Sequence, residues 1–480
     1  MKIPQHARSQ EELFAQLESF RQHDLKWREG RAWGYVYDAG REVEDVAKKA
    51  FMMYLSENGL DPTSFPSLAI LENQIISMAR DHLHGDQEVV GNFTSGGTES
   101  ILLALKTARD RFFDLHPEVG QPEMILPISA HAAFYKAAHY LGVKIVQTPI
   151  DPDTKRAEVE AIRAAITPRT ALIVASATCY AWGVVDPIEE IAKIAQEHDL
   201  LFHVDGCIGG FLLQYYRRLG EDIPLFDFRI PGVTSISMDL HKYAFAPKGA
   251  SVVLHRNKSL RKYQIFACAS WTGYTIVNTA VQSSKSGGPM AAAWAVMNFI
   301  GDDGYMRYAR EILEEQKKLV QGIQAIPDLC LPVIPQMPLI AVDSQTVNIF
   351  HVIDEMKFKG WYVQPQLGYQ GHRACLHLLV SPSHRGQADG FLVDLAVAVE
   401  LAKQQPESEL VAQVKEMFGQ ITPDQITEEV LQGMLGMAGI QKAGLPERLA
   451  EVNEVLDAMP SALTERLLTA FMNDLFTPTK

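Results

Sequence analysis

The stretch ALIVASATCYAWGVVDPIEEIAKIAQEHDLLFHVD, residues 171–205, decides the fold. It opens on an apolar run, ALIVASA (171–177), and closes on another, LFHVD (201–205). Between them, PIEEIAKIAQEH (187–198) spaces its apolar residues at the three- and four-residue intervals of an amphipathic helix. Working outward, the alternation continues from about residue 50 to 290. Further strands are expected at MILPIS (124–129), KIVQTPI (144–150), TSISMD (234–239) and ASVVLH (250–255), with helical patterns such as SILLALKTARDRFF among them. Strand and helix in alternation predict an α/β domain with a mostly parallel sheet. The strands are apolar almost throughout, as expected where helices cover both sheet faces. In such sheets ligands bind beyond the carboxyl ends of the strands, so polar residues there are the first candidates for function.

Composition narrows the function classes. The chain has 480 residues, 47% of them hydrophobic, enough for a sizeable core. With 44 basic and 58 acidic residues the net charge is −14, which argues against a nucleic-acid partner. The five cysteines are scattered without a CxxC pair or metal-ligand spacing, so reduced thiols, a cytoplasmic setting and no metal centre are expected. The polar start MKIPQHARSQEELF lacks the apolar core of a signal peptide, and the sequence has no apolar run of the ~18 residues that a membrane helix needs. A membrane anchor is not expected.

Four segments follow. Residues 1–50 combine charged helical patterns with a Gly/Tyr-rich stretch, Gly30 to Gly40, read as an extended arm rather than a core element. Residues 51–290 form the large α/β domain. Residues 291–404 begin with the helical run AAAWAVMNFIGDDGYMRYAREILEEQKKLVQGI and continue with strands at PLIAVDS, GWYVQPQ and CLHLLVS, a smaller α+β domain. Residues 405–480, rich in Glu and Leu with Pro and Gly breaks, read as a helical extension.

Four motifs sit where such a sheet binds ligands. In SMDLHKYAFAPKG (237–249), Lys242 follows a strand and is flanked by His241 and Tyr243. A lysine amine in a partly desolvated site is expected to have a lowered pKa and can bond covalently to an aldehyde. In LFHVDGCIGGF (201–211), Asp205 stands at a strand end, where a carboxylate either caps a turn or pairs with a protonated ring nitrogen. One strand–helix excursion separates the two, so neighbouring strands can bring them together. In NFTSGGTESILLALKTARD (92–110), a Thr-Ser-Gly-Gly-Thr turn opens a helix whose free N–H groups could hold a phosphate, with Gly96 and Gly97 allowing close approach and Thr98 adding a hydroxyl. In PISAHAAFYKAAHYLG (127–142), Ser129 is expected to cap a helix, placing His131 in its first turn, where it could stack on a flat ring or serve the structure alone.

A phosphate cradle, a strand-end carboxylate and a reactive lysine, in that chain order, form a specific combination. The segments TSGGTESIL, SAHAAF, HVDGCIGGF, GVTSISMDLHKYAFAPKG and SGG (286–288) resemble those of the group II pyridoxal-phosphate decarboxylases of fold type I, and among them most closely the sphingosine-1-phosphate lyases. The resemblance runs from about Gly34 to Gly439. It implies pyridoxal 5'-phosphate as cofactor, bonded to Lys242. It implies Asp205 on the pyridine nitrogen, His131 on the ring face, and Gly97, Thr98 and His241 around the phosphate. Lys248 and Tyr37 match positions that approach substrate. The resemblance also implies a homodimer with shared active sites and a small-molecule amine or amino-acid substrate.

Some positions depart from the lyase pattern. Asp61, in NGLDPTSFPSL (58–68), stands where the lyases carry a His that helps bind substrate phosphate. In SWTGYTIVNTAVQSSKSGG (270–288), Tyr274-Thr275-Ile276 replace a Gly-Gly-apolar run, and Lys285 replaces Arg. Tyr135 replaces Asn after SAHAAF. These four residues are candidates for the substrate pocket. Two activities follow as alternatives: retro-aldol cleavage of a phosphorylated β-hydroxy amine, or decarboxylation of an amino acid without a phosphate. The Lys242–Asp205–His131 set speaks against a non-catalytic scaffold.

Overall fold

The computed structural model describes residues 2–406, 408, 411–414, 416 and 447–478. The large sheet contains β1 Val90–Thr94, β2 Glu123–Pro127, β3 Lys144–Thr148, β4 Thr170–Ser176, β5 Leu201–Asp205, β6 Ser235–Met238 and β7 Ser251–His255. Their order is β1-β7-β6-β5-β4-β2-β3. The run β3-β2-β4-β5-β6 is parallel, and β7 is antiparallel to both its neighbours. Six of these strands lie where the apolar runs predict them. β1 was not anticipated: its sequence VGNFT carries Gly and Asn, poor strand formers on their own. Pairing with β7 overrides that preference, and Gly91 is required because a Cβ there would lie 2.4 Å from the Val253 carbonyl oxygen.

The register between β5 and β6 positions the chemistry. Asp205 is the pairing partner of Ser237, so the two parallel strands end side by side and the turn carrying Lys242 starts next to the Asp205 carboxylate. Helices cover both faces, including Gly97–Leu115 and Ile188–Glu197. The central strands β2, β4, β5, β6 and β7 are buried along their whole length.

Three strands form the small sheet, β10 Leu339–Val342, β11 Gln364–Gln366 and β12 Cys375–Leu379, in antiparallel order β10-β12-β11. The helix Gly287–Gln324 leads to it, broken at Gly301, whose φ of 65° is left-handed. Two short strands, β8 Phe266–Cys268 just before the divergent 270–288 loop and β9 Ile276–Asn278 within it, make an exposed hairpin. Helices Ala450–Ala458 and Ser461–Leu475 follow; most of the intervening part of the expected helical extension lies outside the described residues.

The stretch Gly30 to Gly40 corrects an expectation. It is not a peripheral arm. Trp33 is fully buried, stacks on His384 with ring centroids 4.1 Å apart and abuts Phe391 at 4.9 Å. Its N–H donates to the Tyr362 carbonyl and its carbonyl accepts from Leu379, so the segment joins the small sheet region. A tryptophan buries more apolar area than almost any other side chain, and that anchors an otherwise polar, glycine-containing stretch in the core.

A buried chain of hydroxyls ties the first strand to the sheet. Thr94 Oγ1 lies 2.6 Å from Ser100 Oγ, which lies 2.9 Å from Ser251 Oγ; the latter donates to the Met238 carbonyl at 3.2 Å. It joins β1, the helix behind the Gly-Gly turn and β7. Ser100→Ala removes both central links. Chemical denaturation should show it destabilised by about 1–3 kcal/mol; unchanged stability would show that the chain does not hold β1 in place.

Candidate active site

The strand ends of the large sheet surround a cavity of about 370 Å³. Gly96, Gly97, Thr98, His131, Asp205, His241 and Lys242, seven residues the sequence points to, line it together. Lys248 and Tyr37 line a neighbouring pocket that shares His241 with it.

At the floor, Lys242 Nζ is 2.9 Å from Asp239 Oδ2. The sequence predicts a lowered lysine pKa here, and the structure reverses that direction. Burial is the largest single influence and disfavours the ammonium, but the charge and hydrogen bond of Asp239, with Tyr37 and Cys207, together outweigh it and raise Lys242 above the ordinary lysine range. Burial likewise works against the charge on Asp239, and Lys242 and His241 hold its pKa below the usual carboxylate range. The expectation failed because Asp239, although within the quoted motif, was given no part. Its place three residues before Lys242 in a turn was the available signal.

Asp205 Oδ1 accepts from the Cys207 N–H at 3.0 Å and from Ser237 Oγ at 3.4 Å. Ser237 Oγ is also 3.1 Å from His203 Nε2, so a buried polar chain orients the carboxylate. Burial pushes His203 down to about 4, keeping that ring neutral.

The phosphate cradle is the first turn of helix Gly97–Leu115. Glu99 folds back beneath it: Oε2 accepts from the Ser95 N–H and hydroxyl, both at 2.6 Å, and Oε1 accepts from the Val281 N–H at 2.6 Å. Those bonds hold the Gly-Gly turn open and tether the 270–288 loop to it. Gly97 cannot carry a side chain, since a Cβ would lie 2.7 Å from Asp239 Oδ2 and 2.9 Å from Cys207 Sγ. His241 Nδ1 accepts from the Ala250 N–H at 3.3 Å, and burial lowers the pKa of its ring.

His131 differs in detail from expectation. Ser129 was expected to cap the helix, but His131 itself is the cap of Ala132–Leu141, its Nδ1 accepting from the Ala133 N–H at 3.1 Å. Burial lowers its pKa, so the ring is neutral and its proton sits on Nε2. Tyr180, which the sequence did not single out, lines the cavity edge-on to His131, with centroids 6.5 Å apart. Its hydroxyl donates to Gln364 Oε1 at 2.6 Å and its ring stacks on His377 at 4.6 Å, so the small sheet fixes its orientation. Its position just past the end of β4 was the signal that could have found it.

Lys248 Nζ lies over the Tyr37 ring, 4.9 Å from the centroid. Burial, followed by repulsion from Lys242, pulls the Lys248 ammonium down to about 8. Burial raises the Tyr37 phenol above its ordinary range, so it stays protonated.

The four substrate-pocket candidates do not meet Lys242 in the cavity of the same chain. Asp61 is exposed and satisfied within its own turn: Oδ1 accepts from the Thr63 N–H at 2.8 Å and hydroxyl at 2.7 Å, and Oδ2 from the Ser64 hydroxyl at 3.0 Å. Lys285 is half-buried, and its Nζ donates to Glu72 Oε2 at 3.2 Å and to the Phe93 carbonyl at 2.8 Å. Tyr135 OH accepts from Gln147 Nε2 at 2.6 Å. Tyr274 is exposed in the hairpin loop, its ring edge-on to Trp271. Within the protomer, Lys285 and Asp61 are each held by nearby groups that a sequence pattern does not reveal.

The cavity suits pyridoxal phosphate on its own evidence. It offers an amine, a carboxylate beyond it, a neutral imidazole and a helix start with close backbone access. Ser176 Oγ, Thr178 Oγ1 and Asp239 Oδ1, on residues lining this cavity, are buried without a partner among the described residues, as expected of groups that a polar ligand satisfies. Gly97→Ala should fill the cradle. Titration of the cofactor-stripped protein should show pyridoxal-phosphate affinity reduced by roughly tenfold or more, with the far-ultraviolet dichroism of the fold retained. Unchanged affinity would remove the cradle from the site.

Known proteins agree with this architecture. The family model described as the pyridoxal-dependent decarboxylase conserved domain matches residues 1–344, and one for a C-terminal HTH domain of pyridoxal-dependent enzymes matches residues 412–474. The sphingosine-1-phosphate lyase of Arabidopsis thaliana is 38% identical over 403 residues, 82% of this chain and 73% of that protein. The Probable L-aspartate decarboxylase of Pyrococcus furiosus is 32% identical over 379 residues, 78% of this chain and 99% of that protein. Among solved structures, a sphingosine-1-phosphate lyase of Burkholderia pseudomallei superposes with a TM-score of 0.80 at 35% identity, covering 88% of this chain and 95% of its own. The chain belongs to the pyridoxal-dependent decarboxylase family and is a pyridoxal-phosphate-dependent lyase.

Proposed function

We propose that this enzyme cleaves a phosphorylated long-chain β-hydroxy amine between the carbons bearing nitrogen and hydroxyl, releasing an aldehyde and a phosphorylated amine. The observation that carries this reading is the Lys248–Tyr37 pair beside the Lys242 cavity. Retro-aldol cleavage requires a base for the β-hydroxyl proton, whereas decarboxylation leaves through a carboxylate and needs none. An amine pulled to about 8 is partly neutral near physiological pH and can serve as that base. The similarity to sphingosine-1-phosphate lyases over most of the chain points to the same substrate class.

When bound, pyridoxal phosphate supplies an electron sink for the bond being broken. The chain's residues do the rest. Lys242 would anchor the cofactor through its amine. Asp205, oriented by Ser237 and Cys207, would pair with the pyridine nitrogen and favour its protonated form. The neutral His131 ring covers one face of the site. The N–H groups of Gly97 and Thr98, with His241, would hold the cofactor phosphate at the helix start. Lys248 takes the β-hydroxyl proton, and the protonated Tyr37 phenol donates a hydrogen bond to the same oxygen. Tyr180, held by Gln364, closes the side of the cavity next to His131.

The alternative, an amino-acid decarboxylase, drew on Asp61 and the altered 270–288 loop. Asp61 is held in its own Asx turn and does not line the Lys242 cavity of the same chain, which weakens that alternative. Supplied with sphingosine-1-phosphate, the enzyme should release a long-chain aldehyde. Carbon dioxide from aspartate or glutamate with no aldehyde would reverse the assignment. Lys242→Ala should lose both turnover and the visible absorbance of the bound cofactor.

Because the neutral form of Lys248 is the base, kcat/KM should rise with pH and level off above about 8. Lys248→Ala should lower kcat by about 10²–10⁴-fold and abolish that limb. A limb that survives the substitution belongs to another group.

We also propose that the working form is a homodimer in a reducing compartment such as the cytoplasm. The helix Gln10–Phe20 exposes Leu13, Phe14, Leu17 and Phe20 along one side, and the β8–β9 hairpin exposes Phe266, Trp271, Tyr274 and Val277. Such apolar surface calls for a partner. All five cysteines are free, which suits a reducing setting. Light scattering should give twice the 53.4 kDa chain mass, and Phe14→Asp with Leu17→Asp should weaken the dimer. A monomeric parent protein at micromolar concentration would overturn the assembly.

A further inference from the structure

The hairpin joining β11 to β12 reaches from the small sheet to both flanks of the cofactor cavity. Its tip is a two-residue turn: the Tyr369 and His372 backbones exchange N–H to carbonyl bonds, both at 3.0 Å, around Gln370 at φ 46° and Gly371 at φ 85°. Both central residues are left-handed, the geometry that closes tight hairpins.

On one flank, the Tyr369 hydroxyl lies 3.4 Å from Gln147 Nε2 and accepts from Gln370 Nε2 at 3.1 Å. Gln147 in turn donates to Tyr135, one turn after His131 on the same helix. On the other flank, the His372 ring packs 4.9 Å from Trp182, two residues beyond Tyr180, and its Nδ1 is 3.4 Å from Lys155 Nζ. The tip therefore packs on the segment that carries Tyr180, through Trp182, and reaches the helix capped by His131 through Gln147 of β3 and Tyr135; His131 and Tyr180 are the two rings that meet edge-on at the cavity wall.

The base of the hairpin is held from elsewhere in the chain. The Gly368 N–H donates to Asp457 Oδ1 at 2.6 Å, on helix Ala450–Ala458. Gly368 is needed there, because a Cβ would lie 2.9 Å from the His372 carbonyl oxygen. That helix is itself pinned to helix Ile349–Phe358. Asp354, almost fully buried, accepts from the Leu449 and Ala450 N–H groups at 3.0 and 2.9 Å, and Lys357 Nζ donates to the Glu447 carbonyl at 2.6 Å.

We infer that Asp457 is a positioning residue for the active site, acting through Gly368 and the Tyr369–His372 tip on the walls that carry His131 and Tyr180. Asp457 touches neither substrate nor cofactor. It sets where the hairpin tip sits, and the tip sets the spacing of the two rings. The C-terminal helices are thereby part of the enzyme's cofactor-binding apparatus. Tyr135, selected from the sequence as a pocket residue, is the large-sheet side of this contact.

The test uses the full-length chain stripped of cofactor and titrated with pyridoxal phosphate, so it depends on no assumption about the substrate. Asp457→Ala frees the base of the hairpin and Tyr369→Ala removes its tip contact; both side chains are partly or fully exposed, so the fold should survive. Each should weaken cofactor affinity by about three- to tenfold, the size of one lost charge-assisted or tip contact. Asp457→Asn keeps an accepting oxygen and should restore most of the affinity. A purely structural role would lower Tm and leave affinity unchanged in both alanine variants, which overturns the inference. An effect in only one of the two alanine variants breaks the route through the hairpin and overturns it as well.

Discussion

Two neighbouring parallel strands end in register, Asp205 opposite Ser237, and the active site hangs from that pairing. The side chains of a strand alternate between faces, so a slip of one residue would send Asp205 to the other side of the sheet. Ser237 is itself a donor to the Asp205 carboxylate, so the backbone register and the side-chain chain enforce the same alignment. The turn after β6 then delivers Asp239 and Lys242 within 2.9 Å of each other, at the place where the helix behind Gly97 begins.

Acids and bases alternate within the site. Glu99, Asp205 and Asp239 line the cavity with Lys242, and Lys248 lines the neighbouring pocket. Asp239 pairs with Lys242 at close range, whereas Lys248 has a depressed pKa. The two lysines therefore have different chemistry despite being six residues apart. One is held charged by a partner at the cavity floor. The other is driven toward neutrality by burial and by the first.

Much of the fold was legible in the sequence, because buried parallel strands must be apolar along their length and six such runs stand out. β1 was not legible: its Val-Gly-Asn-Phe-Thr composition acquires strand character only from pairing with β7. Trp33 was misplaced for a related reason. A lone tryptophan in a glycine-containing stretch has no periodicity, and its partners His384 and Phe391 lie more than three hundred residues away. The motifs around Lys242, Asp205, His131 and Gly97 were legible because each is a short local pattern with a chemical reason for its residue types. The intrachain partners of Asp61 and Lys285, an Asx turn and Glu72, were not legible, because they are set by how the chain folds around them.

The sequence by itself determined the class of sheet and the chain order of cradle, carboxylate and lysine. These follow from residue types and local spacing, which are properties of a linear string; the cofactor was implied by the resemblance of those segments to a known family. Only the tertiary structure decided the direction of the Lys242 pKa, the company of Lys248 with Tyr37, the part of Tyr180, and the path from Asp457 to the cavity wall. Each of these depends on distances between segments remote in sequence, and burial and Coulomb energies are functions of such distances alone.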